Sequence, residues 1–331
     1  MKKIKIFIHA VTLMISFLTV FAKPECIFQN EDILICENIT DIAFVTTTLN
    51  NIERPIFNFV LKDCEFGEPI QIEAGFFGDR PPEAFTVSNC ANLVSFTPQF
   101  FSEIKNEIES LTFYILPDLK YFHFQYLEGF NRLQKLEFGF TGIRSFVGLP
   151  TLPELYFINI RNNHFLYRIQ ALPHLPKLET LILDTSKIKK IGRSYFHDLP
   201  KLTNLYLSYN FISHIDKKTL ELRSESIRKL ILKNNRIASV NKDAFIDLDG
   251  AELDLSNNAM YTIEEDLFES FLDKEGNSLI WSTTDGTALS CDCSIEWLVK
   301  SPPKRNRVKG EPKCESGKYF SDLKPEDFNH C

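Results

Sequence analysis

The fold class predicted by this sequence is an α/β-type solenoid. It has a curved parallel β-sheet, an irregular convex side and disulfide-capped ends. Three observations carry the prediction. A pattern of apolar residues recurs about nine times with a period of about 24 residues. All eight cysteines lie towards the two ends, at 26, 36, 64 and 90 and at 291, 293, 314 and 331. The 331-residue chain opens on a short basic and apolar leader. Composition sets the outer bounds. With 44% apolar residues the chain is no disordered tail, and its length asks for two domains or one extended repeat array. A formal net charge of −7 argues against nucleic-acid binding, which wants a basic face.

Residues 1–22 read as a secretory signal peptide. Lys2, Lys3 and Lys5 form its charged start, an apolar run extends from Ile6 to Phe21, and Val20 and Ala22 place small residues before a cleavage site. The run is near the lower limit of a spanning helix, roughly 17 residues, so a retained anchor is the weaker alternative. No second apolar span follows, and the mature chain is expected to hold no transmembrane segment. Export puts the cysteines in an oxidising environment. Residues 23–52 then form an N-terminal cap, where Cys26 and Cys36 bracket a stretch suited to a hairpin closed by one bridge. The sequon Asn38-Ile39-Thr40 makes Asn38 the candidate for N-glycosylation.

Residues 53–278 carry the repeats. Each copy reads apolar, two free, apolar, one free, apolar, two free, then a closing Asn or small polar residue. Clear copies are Leu155-Ile158-Ile160-Asn163, Leu202-Leu205-Leu207-Asn210 and Ile227-Leu230-Leu232-Asn235. The closing positions are 64, 90, 116, 141, 163, 186, 210, 235 and 258, spaced 22 to 26 residues apart. One copy cannot bury its apolar side alone, whereas stacked copies share a continuous core. Alternation places the apolar residues under a short strand. The closing Asn turns inward, where its amide can satisfy backbone groups of neighbouring turns. Phe in the returning segments fills the convex half of the core and accounts for much of the 30 Phe. Cys64 and Cys90 occupy closing positions. They are read as two buried thiols on neighbouring turns, with a bridge between them as the alternative.

These nine copies resemble the leucine-rich repeat, which implies a horseshoe. Residues 279–331 hold Cys291-Asp292-Cys293, Trp297-Leu298, Cys314 and Cys331 in order, similar to the C-terminal cysteine cap of extracellular leucine-rich repeat proteins. The resemblance implies the bridges Cys291–Cys314 and Cys293–Cys331; sequence alone allows three pairings of these four. Zinc is the rival reading, but one residue between ligands is tighter than usual for that metal. Trp297 is expected to cover the last repeat's core. The cysteine-rich start, Phe-heavy early repeats and closing Asp322 to Cys331 are also similar to the arthropod family named after the non-catalytic subunit of Oplophorus-luciferin 2-monooxygenase. That resemblance implies a secreted repeat protein that is not an enzyme.

Motifs for catalysis are absent: the sequence has no Gly-x-Ser-x-Gly elbow, phosphate loop, His-Glu-x-x-His or Gly-x-Gly-x-x-Gly. No catalytic residue, cofactor or metal is expected. The outward strand positions form the candidate ligand-binding concave face, with a patch of Tyr114, Phe140, Phe157, Arg161, Ile182, Tyr206, Tyr209 and Ile231. Tyr, Phe and Arg are residue types enriched at interface hot spots. Lysines and arginines in these columns are balanced by acids, which argues against a polyanion there. A basic run of Lys300, Lys304, Arg305, Arg307 and Lys309 in the C-terminal cap reads as a solvated loop, with weak attachment to sulfated glycan or anionic lipid as the alternative. The expected function is a secreted protein that binds a protein or glycan through its concave face. The alternatives are an accessory subunit, a matrix structural protein and an innate-immune recognition module.

Overall fold

The sequence pattern repeats because each copy is one strand of a single sheet. The computed structural model describes residues 23–217, 219, 227–245, 248–282 and 288–331. The predicted leader, 1–22, lies outside the described residues. Thirteen strands follow one another across one open sheet in chain order. The first pair is an antiparallel hairpin, Glu25–Phe28 against Ile33–Glu37, with Cys26 opposite Cys36 and bridged to it. From Ile33–Glu37 onwards every pairing is parallel. The frame residues stay in step: Ile158, Leu181, Leu205, Leu230, Leu253 and Leu279 are successive register partners. All six are fully buried. The sheet thus continues outside the nine copies, through Ile33–Glu37 at one end and Ser278–Ile280 and Val308–Lys309 at the other.

The closing Asn residues hold adjacent turns together. The Asn210 Nδ2 donates to the Leu183 carbonyl of the preceding repeat at 2.8 Å and to Leu207 at 3.1 Å, while its Oδ1 accepts from the Ile188 N–H at 3.1 Å. Asn235 and Asn258 repeat the arrangement one turn later each. Asn163 reaches back to Phe138 O at 2.8 Å and accepts from Thr141. All four are buried. Asn277, outside the frame, plays the same part near the C-terminal cap, donating to Phe271 O and accepting from Ala251 N–H, each at 2.8 Å.

The two halves of the core differ in filling. The early repeats are longer, and their wider turns are packed with Phe. Phe59, Phe76, Phe77, Phe85, Phe96, Phe100 and Phe113 form one run of ring contacts, with centroids 4.8 to 6.4 Å apart. Later repeats rely mainly on Leu and Ile, with fewer buried rings such as Phe196, Phe245 and Phe268. The early strands are also long, Asn58–Ile72 and Ala84–Phe96. They pass the corner at Cys64 and Cys90 in register, and those two cysteines are bridged. Of the two readings left open by the sequence, this is the bridge. Short helices interrupt the return legs where a cap is available. Asp41 accepts from Ala43 N–H before Ile42–Asn50, and Thr97 from Phe100 N–H before Pro98–Ile104.

At the C-terminus, Cys291 is bridged to Cys314 and Cys293 to Cys331. Trp297 is half-buried against the core, its indole N–H donating to Ile263 O at 3.2 Å. Trp281 lies deeper and meets Phe268 edge-on.

Candidate functional site

Outward-facing residues of the parallel strands line up in columns across the concave side, because register partners are adjacent. The middle column runs Val60, Thr86, Thr112, Glu137, Asn159, Ile182, Tyr206, Ile231, Asp254. Ile182, Tyr206 and Ile231 are therefore consecutive and form one half-exposed apolar line. Phe157 lies in the neighbouring column, between Lys135 and Thr180. Tyr114 pairs in register with Gly139, and a Cβ on Gly139 would strike its ring; the absence of a side chain lets the ring lie flat. Phe140 meets that ring edge-on at 5.3 Å. Five of the eight candidates fall into an aromatic pair at one side, Tyr114 and Phe140, and the line Ile182, Tyr206 and Ile231 further along; Phe157, Arg161 and Tyr209 flank them. Glu137, Asn159 and Arg161 stand between the two groups.

The polar residues of this face are held by one another. The Asn159 Nδ2 donates to Glu137 Oε2 at 3.0 Å, and its buried Oδ1 has no hydrogen-bond partner. Asp184 accepts from the Ser208 N–H at 2.6 Å. Burial pushes its carboxyl pKa up, opposed by the Ser208 hydrogen bonds and by the Arg161 charge.

A feature missed by the sequence reading is the backbone at the rim. The residue before every closing position is left-handed: Asp63, Asn89, Ile115, Phe140, Asn162, Thr185, Tyr209, Asn234 and Asn257, with φ between 51° and 57°. Five of the nine are Asn or Asp, which tolerate this region; Ile115, Phe140, Thr185 and Tyr209 do not do so readily. Of these, Ile115, Phe140 and Tyr209 are exposed, Tyr209 by 56%. The recurrent Asn and Asp one residue ahead of the frame's end were the available signal.

Each cation of the cap's basic run has a partner on the protein, with Lys300 and Lys309 still exposed. Lys304 pairs with Glu269 at 2.7 Å and Asp273 at 3.1 Å, and Lys300 with Glu296. Arg305 donates to Ser321 O at 2.7 Å, Arg307 to Leu272 O and Lys274 O at 2.5 Å each, and Lys309 to Ser278 Oγ at 3.2 Å. Lys304, Arg307 and Lys309 fasten the cap to the last repeat, while Lys300 and Arg305 are held within the cap itself. Asn38, the sequon residue, follows the Ile33–Glu37 strand and is half-exposed with φ 58°. Cys293, His330 and Cys331 cluster at the C-terminus, but the two sulfurs are joined and supply no thiolate. Among the described residues no helix is long and apolar enough to cross a membrane.

Comparison with known proteins agrees with this geometry. A family model described as leucine rich repeat matches residues 176–222. The chain is 24% identical over 305 residues to the Oplophorus-luciferin 2-monooxygenase non-catalytic subunit of Oplophorus gracilirostris, covering 89% of this chain and 81% of that one. The chain carries leucine-rich repeats. It is also 39% identical over 107 residues to leucine-rich repeat-containing protein 3 of Danio rerio, covering 31% of this chain and 39% of that one. Among solved structures, a chain of the TLR13–ssRNA13 complex superposes with a TM-score of 0.62 at 16% identity, over 78% of this chain and 36% of that one. A chain of the octameric complex of Latrophilin 3, Unc5D and FLRT2 superposes with a TM-score of 0.60 at 15% identity, over 93% and 98%. Both likenesses are of fold.

Proposed function

We propose that this protein is secreted, is not an enzyme, and holds another protein against its concave sheet. One observation carries the reading: Ile182, Tyr206 and Ile231 stand on consecutive strands in register, half-exposed, on the face that curvature makes concave. A contiguous row of apolar side chains on a wet face marks an interaction site, because covering it removes that surface from water. Phe157, Tyr114 and Phe140 extend the contact, and Arg161 and Tyr209 supply the polar reach typical of interface anchors. Four disulfides among the described residues suit an oxidising compartment. Attachment to sulfated glycan through Lys300, Lys304, Arg305, Arg307 and Lys309 would have to break the contacts that fasten the cap.

An accessory-subunit role is the second reading, favoured by the relative that matches over 89% of the chain, itself a non-catalytic subunit. In that case the bound protein is a stable companion rather than a passing ligand. Affinity capture from native secretion tests both. Wild type is expected to retain a partner, in equal amounts if it is a companion subunit. The triple variant Phe157→Ala, Tyr206→Ala, Tyr209→Ala is expected to lose it while keeping its melting temperature. A variant that keeps every partner contradicts the concave assignment.

A further inference from the structure

A second surface lies away from the sheet, on the return legs of three successive repeats. Residues 142–153, 164–176 and 187–197 contain Arg144, Arg168, Lys187, Lys189, Lys190 and Arg193 and not one Asp or Glu, in a chain whose net charge is −7. The fold brings these segments side by side. Arg168–Ile169 pairs in parallel with Ser145–Phe146, Tyr167 N–H donates to Arg144 O at 3.2 Å, and Lys187 N–H to Leu166 O at 2.7 Å. All six cations are exposed. Four of them, Arg168, Lys187, Lys189 and Lys190, line a groove of about 540 Å³ between Tyr167 and Tyr195. Its wall is built: Gly192 has no side chain, and a Cβ there would collide with the Tyr195 ring that lies against it.

The charge is largely uncompensated. Lys190 meets Asp216 at 3.9 Å with both side chains more than half exposed, and Lys187 sits 5.7 Å from the Phe165 ring. Arg168, Lys189 and Arg193 make no ion pair among the described residues. Gathered like charges repel, and they raise the local concentration of anions. The cap's cations, by contrast, are spent on the protein itself.

We propose that this lateral groove binds a linear sulfated polysaccharide. Cations at successive repeats match sulfates spaced along a single chain, and the exposed rings of Tyr167 and Phe165 offer flat faces to sugar rings. Duplex nucleic acid, with one charge per about 1.7 Å, would run off the patch onto acidic neighbours such as Asp216 and Asp243. A bilayer would meet a recess rather than a flat cationic face. The site is independent of the concave sheet, so both can be occupied together.

Heparin binding by the full-length protein tests this, with phosphatidylserine vesicles and single-stranded RNA as competing probes. Heparin is expected to bind most tightly and to weaken with salt. Arg168→Gln, Lys189→Gln, Lys190→Gln together should lower its affinity by about tenfold or more without altering the melting temperature. Tyr167→Ala should lower affinity while leaving the salt dependence unchanged. The concave triple variant should bind heparin as wild type does. Unchanged affinity in the cation variant, absence of heparin binding, or tighter binding of vesicles or RNA overturns the proposal.

Discussion

Asn210 makes three kinds of contact from one amide: to its own turn, to the turn before, and to the N–H that opens the return leg. Asn210→Ala strips those backbone groups in a place water does not reach, and should cost about 1–3 kcal/mol, read as a lower urea midpoint at unchanged m-value. Tyr209, one residue earlier, is a different case. It is left-handed and exposed, so its ring contributes little burial while its backbone is strained. Tyr209→Asn should raise stability by roughly 0.5–1 kcal/mol and reduce partner capture. Stability lost with the ring would show that the side chain serves the fold. Asp184 gives a pH signature. Its folded pKa lies above the ordinary carboxylate value of 3.8 because burial penalises the charge. The folded state therefore holds more protons than the unfolded one between those two values, and stability falls as pH rises through that window. Asp184→Asn should flatten that part of a stability–pH curve; a curve unchanged from wild type contradicts the assignment.

Elements differ in how far the sequence exposes them. Short strands with Leu, Leu and Asn at fixed spacing were legible because burial and a backbone-satisfying amide leave few residue choices. The left-handed position was less so, since Phe140 and Tyr209 hide what Asn162 and Asn234 advertise. Return legs were least legible: one repeat takes a capped helix, Pro98–Ile104, and another a two-residue strand, Arg168–Ile169, with no shared spacing. For the same reason the cations of 164–197 stayed scattered in the sequence, while the contiguous run at 300–309 stood out. The fold reverses their roles by pairing the run internally and assembling the scattered set. The corner at Cys64 and Cys90 is the element with the clearest test. Closing a 26-residue separation is worth about 3 kcal/mol by loop entropy, and Cys64→Ser with Cys90→Ser should lower stability by that order. Alkylation without reduction should label neither cysteine in the wild type.

At the scale of the whole molecule, the repeats contact their neighbours and little else, so stability is spread along the chain rather than gathered in one core. The ends close this array differently. A bridged hairpin seals the first strand, and two bridges with Trp281 and Trp297 seal the last. Between them stands a sheet long enough to present the apolar line and the Tyr114–Phe140 pair to one partner at once. The lateral groove lies on the return legs, so a glycan held there would leave the concave side open. Hydrogen–deuterium exchange of the protein alone and with its captured partner tests the concave claim most directly. Protection is predicted at Phe157–Asn159, Thr180–Ile182, Asn204–Tyr206 and Lys229–Ile231, with the return legs unchanged. Protection confined to the return legs or the caps would contradict it.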